Sequence, residues 1–158
     1  MKTRVHAVAG VLALALISLF FTASAVVEIF GDDAAVRAVK TAVVFALFVL
    51  VPCMAITGAT GRSLGAPRRR APLIRRKQRR MVAAAAIGLL ILVPCAITLR
   101  IFADDGRFDT TFAVVQAIEF LGGAVNITLL GLSARDGRLL TAAARRRKRQ
   151  AATVAVQP

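Results

Sequence analysis

The sequence has no tryptophan or tyrosine, two cysteines, one histidine, and 8 acidic residues against 22 basic ones. Two cysteines are too few for a small secreted domain that depends on several disulfides. The single histidine, His6, excludes a haem held by two histidines of one chain. The missing tryptophan and tyrosine also exclude the aromatic belts that commonly mark a membrane interface. What remains is a chain dominated by aliphatic residues and arginine.

Apolar residues make up 58% of the 158 residues, and the charges are segregated from them. Residues 5–27, 41–61 and 81–99 carry no charged side chain, and residues 110–134 carry only Glu119. Each of these runs has 19 to 25 residues, enough for a helix to cross ~30 Å of hydrocarbon. This pattern excludes a soluble enzyme and a disordered basic tail, and it lacks the alternation of a membrane β-barrel.

The sequence therefore predicts an all-α membrane protein, a bundle of four transmembrane helices in one domain over residues 1–132. The helices are expected at about 5–29, 39–60, 81–103 and 111–132. A basic connection over 61–80 and a basic tail over 133–158 complete the chain. We expect residues 74–80 of the connection to form the first turns of the third helix.

Of the 22 Lys and Arg residues, 18 fall on one side of the predicted helices. Because cations are retained in the cytoplasm, both termini and the long connection are expected there. The usage of alanine and arginine indicates a GC-rich bacterium, and hence the inner membrane. The basic connection is expected to bind anionic lipid headgroups, through Arg68, Arg69, Arg70, Arg75, Arg76 and Lys77. Docking of an acidic cytoplasmic partner is the alternative, and without aromatic residues for base stacking no nucleic acid partner is expected.

The amino terminus has a second interpretation. Lys2 and Arg4 precede an apolar run that ends near Ala23-Ser24-Ala25, as in a signal peptide with a small-residue cleavage site. Cleavage there would leave three helices, beginning at Val26. The charge-free run of 23 residues exceeds the usual 7–15 of a signal peptide, which favours an uncut helix.

A short internal similarity suggests that two helical hairpins arose by duplication. Residues 29–33 (IFGDD) match residues 101–105 (IFADD), and both segments fall in predicted outer connections. The alignment places Glu28 and Arg100 at the same outer depth. We therefore predict a salt bridge between the first and third helices, of order 1 kcal/mol or less.

Glu119 is the most informative residue, because a carboxyl near the bilayer midplane is costly and is a functional hypothesis by default. Glu119 belongs to a polar stripe on one face of the fourth helix. The stripe consists of Gln116, Glu119, Gly122, Gly123 and Asn126. The stripe must face the bundle or a partner helix. Unless a cation lies near, the carboxyl is expected to be uncharged and to donate a hydrogen bond. Two roles are open for the stripe. It either joins helices through polar bonds, with the glycines allowing close approach, or it serves proton coupling through Glu119.

Two Pro-Cys pairs lie inside predicted helices, Pro52-Cys53 and Pro94-Cys95. Each proline lacks a backbone donor, so both helices are expected to kink. In antiparallel helices the two cysteines would differ in depth by roughly 10 Å, beyond the ~7 Å Cα limit of a disulfide. They are predicted to be packing residues, and a membrane thiol-redox component is the alternative.

No metal or cofactor is expected, because no set of His, Cys, Asp and Glu has ligand spacing. The run from Val114 to Asn126, followed by Arg135-Asp136-Gly137, resembles small, uncharacterised four-helix membrane proteins of GC-rich bacteria, and the resemblance supplies no activity. Our first hypothesis is a non-enzymatic accessory or structural subunit whose polar stripe on the fourth helix meets a helix of a partner membrane protein. The second is a small proton-coupled transporter, assembled as a homo-oligomer, that uses Glu119.

Overall fold

The computed structural model describes residues 2–65 and 72–154, and nearly all of them are helical. The helices are α1 (Lys2–Phe30), α2 (Asp33–Gly65), α3 (Pro72–Ile87), α4 (Val93–Asp104) and α5 (Thr110–Val154). A π-helical segment, Gly88–Leu92, joins α3 to α4 without a break. Four stretches are long and apolar enough to cross a membrane, as the sequence predicts: Thr3–Phe30, Asp33–Leu64, Ile74–Asp104 and Thr110–Ala144.

Each helical stretch is longer than the charge-free run that predicted it. Helix α3 begins at Pro72, so the prediction that residues 74–80 are helical is confirmed. Helix α5 continues to Val154, well past the expected end at 132. Charged residues do not end these helices, because arginine and lysine favour helix as alanine and leucine do. A proline also suits the first turn, where α3 has Pro72. Arg68, Arg69 and Arg70 lie outside the described residues.

Aspartates begin two of the helices. The Asp32 carboxylate accepts a hydrogen bond from the backbone N–H of Ala35 at 2.8 Å, at the start of α2. The Asp109 carboxylate accepts one from the N–H of Phe112 at 3.1 Å, at the start of α5. Both satisfy donors that a helix cannot satisfy itself. The acidic residues of the two short connections thus fix where α2 and α5 start.

Helix α4 ends in a left-handed turn at Gly106, whose φ is 66°. The N–H of Gly106 bonds the carbonyl of Ala103 at 3.2 Å, and the N–H of Arg107 bonds that of Phe102 at 2.8 Å. This pair of bonds is a Schellman C-cap, which favours glycine because a side chain is strained at positive φ.

The interior combines small and polar side chains with large apolar ones such as Leu50, Leu99 and Phe112, while many other large apolar side chains point outward. Helix α1 packs mainly on α2, and both α1 and α4 contact α2 and α5. The buried small residues are Ala9, Ala13, Ala84, Ala96 and Ala103, and the buried polar ones include Ser24, Lys40, Gln116 and Asn126. Among the most exposed are Phe30, Phe48, Leu90 and Leu121. The exposure of so many large apolar side chains is unusual for a water-soluble bundle.

The two prolines have different surroundings. Pro52 lies inside α2, which is assigned as one α-helix from Asp33 to Gly65. Pro94 directly follows the π-helical segment, in which the N–H of Val93 bonds the carbonyl of Gly88, five residues earlier. A π-bulge is one way to rearrange helical bonding where proline supplies no donor. The local change at Pro94 is thus a wider helical turn, which the sequence reasoning did not specify.

The cap at Asp109 predicts a dependence of stability on pH. The Phe112 N–H holds the pKa of Asp109 below its ordinary value. A lowered pKa contributes stability that is complete above the ordinary aspartate pKa of about 3.9 and is lost as the pH falls through the lowered value. We expect Asp109→Ala to unfold at a lower temperature than the native chain at neutral pH, and the difference to shrink in acid.

Thermal unfolding followed by circular dichroism in detergent solution measures this difference. Asp109→Asn is the control, because its side-chain oxygen keeps the cap without a titratable group. A difference between the native chain and Asp109→Ala that stays constant from neutral to acidic pH contradicts the assignment.

Candidate functional site

A buried lysine joins three helices near one end of the bundle. Lys40, on α2, is 0% exposed. Its ammonium donates to Oε2 of Glu119 at 2.9 Å and to Oε1 of Gln116, both on α5. Oε1 of Glu28, on α1, lies 3.8 Å from Lys40 Nζ. We call Lys40, Glu28, Gln116 and Glu119 the ionic cluster.

The helical geometry explains why these side chains meet. Lys40 lies seven residues into α2 and Gln116 six residues into α5, which places them about 10 Å and about 9 Å along their helices. Glu119 is one turn beyond Gln116 on the same face, and its Oε2 accepts a bond from Gln116 Nε2 at 3.2 Å. Glu28 is near the end of α1, just before the short connection to α2. All four side chains therefore converge at one depth.

The electrostatics make the ionic cluster a strong constraint on packing. An ammonium removed from water is costly unless it is paired and hydrogen-bonded. Lys40 meets two carboxyl groups and one amide oxygen, and none of its own surface is exposed. Any rearrangement that separates α2 from α5 would leave this charge buried without a partner.

The ionic cluster supplies the condition on which the expectation for Glu119 depended. That expectation, an uncharged carboxyl donating a hydrogen bond, held only if no cation lay near. Lys40 supplies the cation, and Glu119 accepts its hydrogen bond. Sequence reasoning counted Lys40 among the cations of the outer side because the second helix was expected to begin at 39. Since α2 begins at Asp33, Lys40 lies two turns inside the helix.

The predicted salt bridge between Glu28 and Arg100 is wrong. Arg100 bonds Asp104, one turn away on α4, at 3.0 Å, and Glu28 lies beside Lys40. Helices α1 and α4 each pack on α2 and α5, so the two residues belong to helices that do not share a main interface. The duplication itself stays a prediction.

The rest of the polar stripe faces other helices of the same chain. A Cβ at Gly122 would lie 2.9 Å from Cδ2 of Leu92, and one at Gly123 would lie 3.0 Å from Cδ2 of Phe21. The two glycines thus let the third span and α1 approach α5 closely. Asn126 is fully buried. The stripe is directed into this chain's own bundle, which corrects the expectation that it meets a partner helix.

A crevice of about 70 Å³ borders Glu119. Its other lining side chains include Ser24, Phe21, Phe120, Leu47 and Ala96. Phe21 and Phe120 meet edge to face, with ring centroids 5.5 Å apart. The crevice is therefore an apolar space with one carboxyl at its wall.

Both cysteines are free thiols, and both are half-buried. Among residues 2–65 and 72–154, no group of three or more His, Cys, Asp and Glu side chains could hold a metal ion. His6 is engaged elsewhere, with Nδ1 at 3.1 Å from the carbonyl oxygen of Thr57 and from the hydroxyl of Thr60.

A second ion pair, missed by sequence reasoning, lies at the opposite end of the bundle. Arg80 of α3 donates to the Asp136 carboxylate of α5 at 2.8 Å. Lys77 lies beside it, and its Nζ would be 3.1 Å from a Cβ at Gly137. Arg75 and Arg76 are exposed. One face of this α3 turn thus packs on α5, while other cations remain accessible.

Comparison of the chain with protein-family models, with curated proteins and with solved structures finds no match.

The ionic cluster predicts that Lys40→Met is strongly destabilising. Removing one partner of a buried ion pair costs about 3–5 kcal/mol. We expect the lower end of that range because the Glu119 side chain is 14% exposed. The double variant Lys40→Met/Glu119→Gln should lose less than the sum of its single changes, because it leaves no unpaired charge on α5.

Unfolding of the purified protein in detergent measures these effects. Arg107→Met is the matched control, since it breaks an ion pair with Asp109 whose side chains are about half exposed and should cost below about 1 kcal/mol. Equal losses for Lys40→Met and Arg107→Met would refute the structural importance of the ionic cluster.

Proposed function

We propose that this chain is a multi-pass integral protein of a bacterial inner membrane, with four spans and both termini in the cytoplasm. Four stretches have the length and apolarity of spans, and 18 of the 22 cations fall at their predicted cytoplasmic ends. The exposed side chains support the proposal: Phe48 is 77% exposed and Leu121 is 71% exposed. Such surfaces are stable against lipid and unfavourable in water.

Within that membrane, the chain is a non-enzymatic accessory or structural subunit. The observation that carries this role is the bonding of Glu119, whose carboxylate is held by Lys40 and Gln116 of the same chain. A carboxylate held this way acts as a link between α2 and α5. Since the polar stripe is used inside the bundle, a partner membrane protein is met through other surfaces. The exposed cations Arg75 and Arg76 are proposed to bind anionic headgroups.

A specific observation favours proton coupling as the second candidate function. Two carboxyl groups, Glu28 and Glu119, share the single ammonium of Lys40. Glu119 also lines the crevice, so a proton or a cation that reached the crevice could exchange with the ion pair. A transporter built on this site would break the bond between Lys40 and Glu119 when a proton or a cation binds the Glu119 carboxyl.

The topology is tested by cysteine labelling in intact cells. In a Cys53→Ala/Cys95→Ala background, a membrane-impermeant maleimide should label Asp105→Cys and leave Gln150→Cys unlabelled until the cells are opened. Labelling of Gln150→Cys in intact cells contradicts the orientation. The intact mass of the same preparation checks the amino terminus, because a chain that begins at Val26 has lost most of α1.

The role is tested by co-purification and by proton flux. A tagged chain extracted in mild detergent from its own bacterium should retain the same larger membrane protein in the native form and in Glu119→Gln. Vesicles that contain the purified protein should acidify under an imposed potential no faster than protein-free vesicles. Acidification that is lost in Glu119→Gln protein shown to be folded, and kept in Arg107→Gln as the control, establishes the transporter and overturns the accessory role.

A further inference from the structure

Asn126 is a buried polar side chain without a protein partner. It lies on α5, about two turns beyond Glu119, and is 0% exposed. Within the part of the chain that the structure describes, neither Oδ1 nor Nδ2 makes a hydrogen bond. A buried carboxamide has two donor hydrogens and an acceptor oxygen, and leaving them unmet is unfavourable. The side chain therefore indicates a ligand.

The ligand has a place to bind. A cavity of about 30 Å³ is bounded by Asn126, by Met54 of α2 and by Gly88, Leu89 and Val93 of the third span. A Cβ on Gly88 would lie 3.5 Å from Asn126 Nδ2 and 3.6 Å from Met54 Sδ. The absence of a side chain at Gly88 thus keeps the space between the π-helical segment and the carboxamide open.

The π-helical segment contributes backbone polarity to the same cavity. The N–H of Val93 bonds the carbonyl of Gly88, which sets a spacing of five residues. At that spacing the carbonyl of Leu89 would be bonded by residue 94, but Pro94 has no N–H. Leu89 and Val93 both line the cavity. At that spacing the carbonyl of Leu89 thus has no donor, and Leu89 lies at the wall of the cavity that Asn126 also lines.

We propose that this cavity is a binding site for an internal water molecule, held between the Asn126 side chain and the π-helical segment. The size of the cavity favours water as the ligand. One water molecule needs about 10–15 Å³ of cavity volume, and most metabolites need far more. The lack of charge in the lining also favours water. Of the described residues that line the cavity, Asn126 alone has a polar side chain, so a bound cation would have no anionic partner. Water both donates and accepts, as the carboxamide and the carbonyl require.

This water connects α5 to the irregular part of the third span. The water also gives Pro94 a role beyond bending the helix. Because Pro94 has no N–H, the Leu89 carbonyl lacks a donor and becomes the water's second hydrogen-bond partner. The larger crevice beside Glu119 shares Ile17, Leu47, Leu50 and Leu92 with this cavity. The water therefore lies next to the ionic cluster's crevice, in the middle of the bundle.

Nuclear magnetic resonance on the full chain in lipid nanodiscs tests the site. Asn126 is the one asparagine of the sequence, so selective ¹⁵N-asparagine labelling gives a single side-chain amide. We expect magnetisation transfer from this amide to a water that stays bound long enough to be detected. An amide signal without such transfer overturns the proposal.

Two variants separate a bound water from a merely buried amide. In Gly88→Ala the added methyl takes the water's space at ordinary contact distances, so the protein should fold and the transfer should disappear. Asn126→Leu should lower the unfolding temperature by about 2–4 °C, because the Leu89 carbonyl then has no bridge to α5. Persistence of the transfer in Gly88→Ala, or an unchanged or higher unfolding temperature in Asn126→Leu, overturns the site.

Discussion

The buried ammonium of Lys40 is the constraint on which the rest of the bundle depends. A charge with no exposed surface must be paired, and its partners come from two other helices, α1 and α5. Apolar helices surrounded by lipid gain little from hydrophobic burial against each other, since acyl chains are equally apolar. In such a medium, hydrogen bonds and close packing choose one arrangement among many. The ionic cluster thus fixes the register of α2 against α5. The glycines beside it, Gly122 and Gly123, set the distance of α5 from the π-helical segment and from α1.

The proposed lipid environment explains much of the distribution of side-chain sizes. Buried positions include small residues such as Ala13, Ala84 and Ala96, beside polar groups and a few large apolar side chains. Small residues let helix backbones approach, which increases dispersion contacts and shortens polar bonds. The Gly122–Leu92 and Gly123–Phe21 contacts are the closest of this kind on α5. Large aliphatic and aromatic side chains then occupy the outside, where the proposed lipid surrounds them.

The sequence was sufficient to predict the four helical stretches, because length without charge is a property of each segment alone. It also predicted that Gln116, Glu119 and Asn126 share a face, since helical periodicity is local. It did not predict Lys40 as the partner of Glu119, because the sequence of one apolar helix does not determine its register against another. Alignment of the two hairpins led to the wrong partner for Glu28, since similarity of sequence does not place α1 beside α4. The π-helical segment was missed for a related reason: a proline indicates which donor is lost, and the surrounding packing decides how the helix responds.

The chemistry of the ionic cluster explains why lysine suits this position better than arginine. An ammonium is compact and has three donor hydrogens, whereas a guanidinium is a wide planar fork suited to a single carboxylate. Around Lys40 lie three oxygen atoms on two helices, from Gln116, Glu119 and Glu28, with the last at 3.8 Å. Gln116 and Glu119 accept hydrogen bonds from the ammonium, and Glu28 adds a second negative charge nearby without a hydrogen bond. Gln116 adds an acceptor without adding a negative charge, and its amide nitrogen also bonds Glu119. The amide therefore orients the carboxylate while it solvates the ammonium, and the pair stays bonded in an interior that offers few other polar groups.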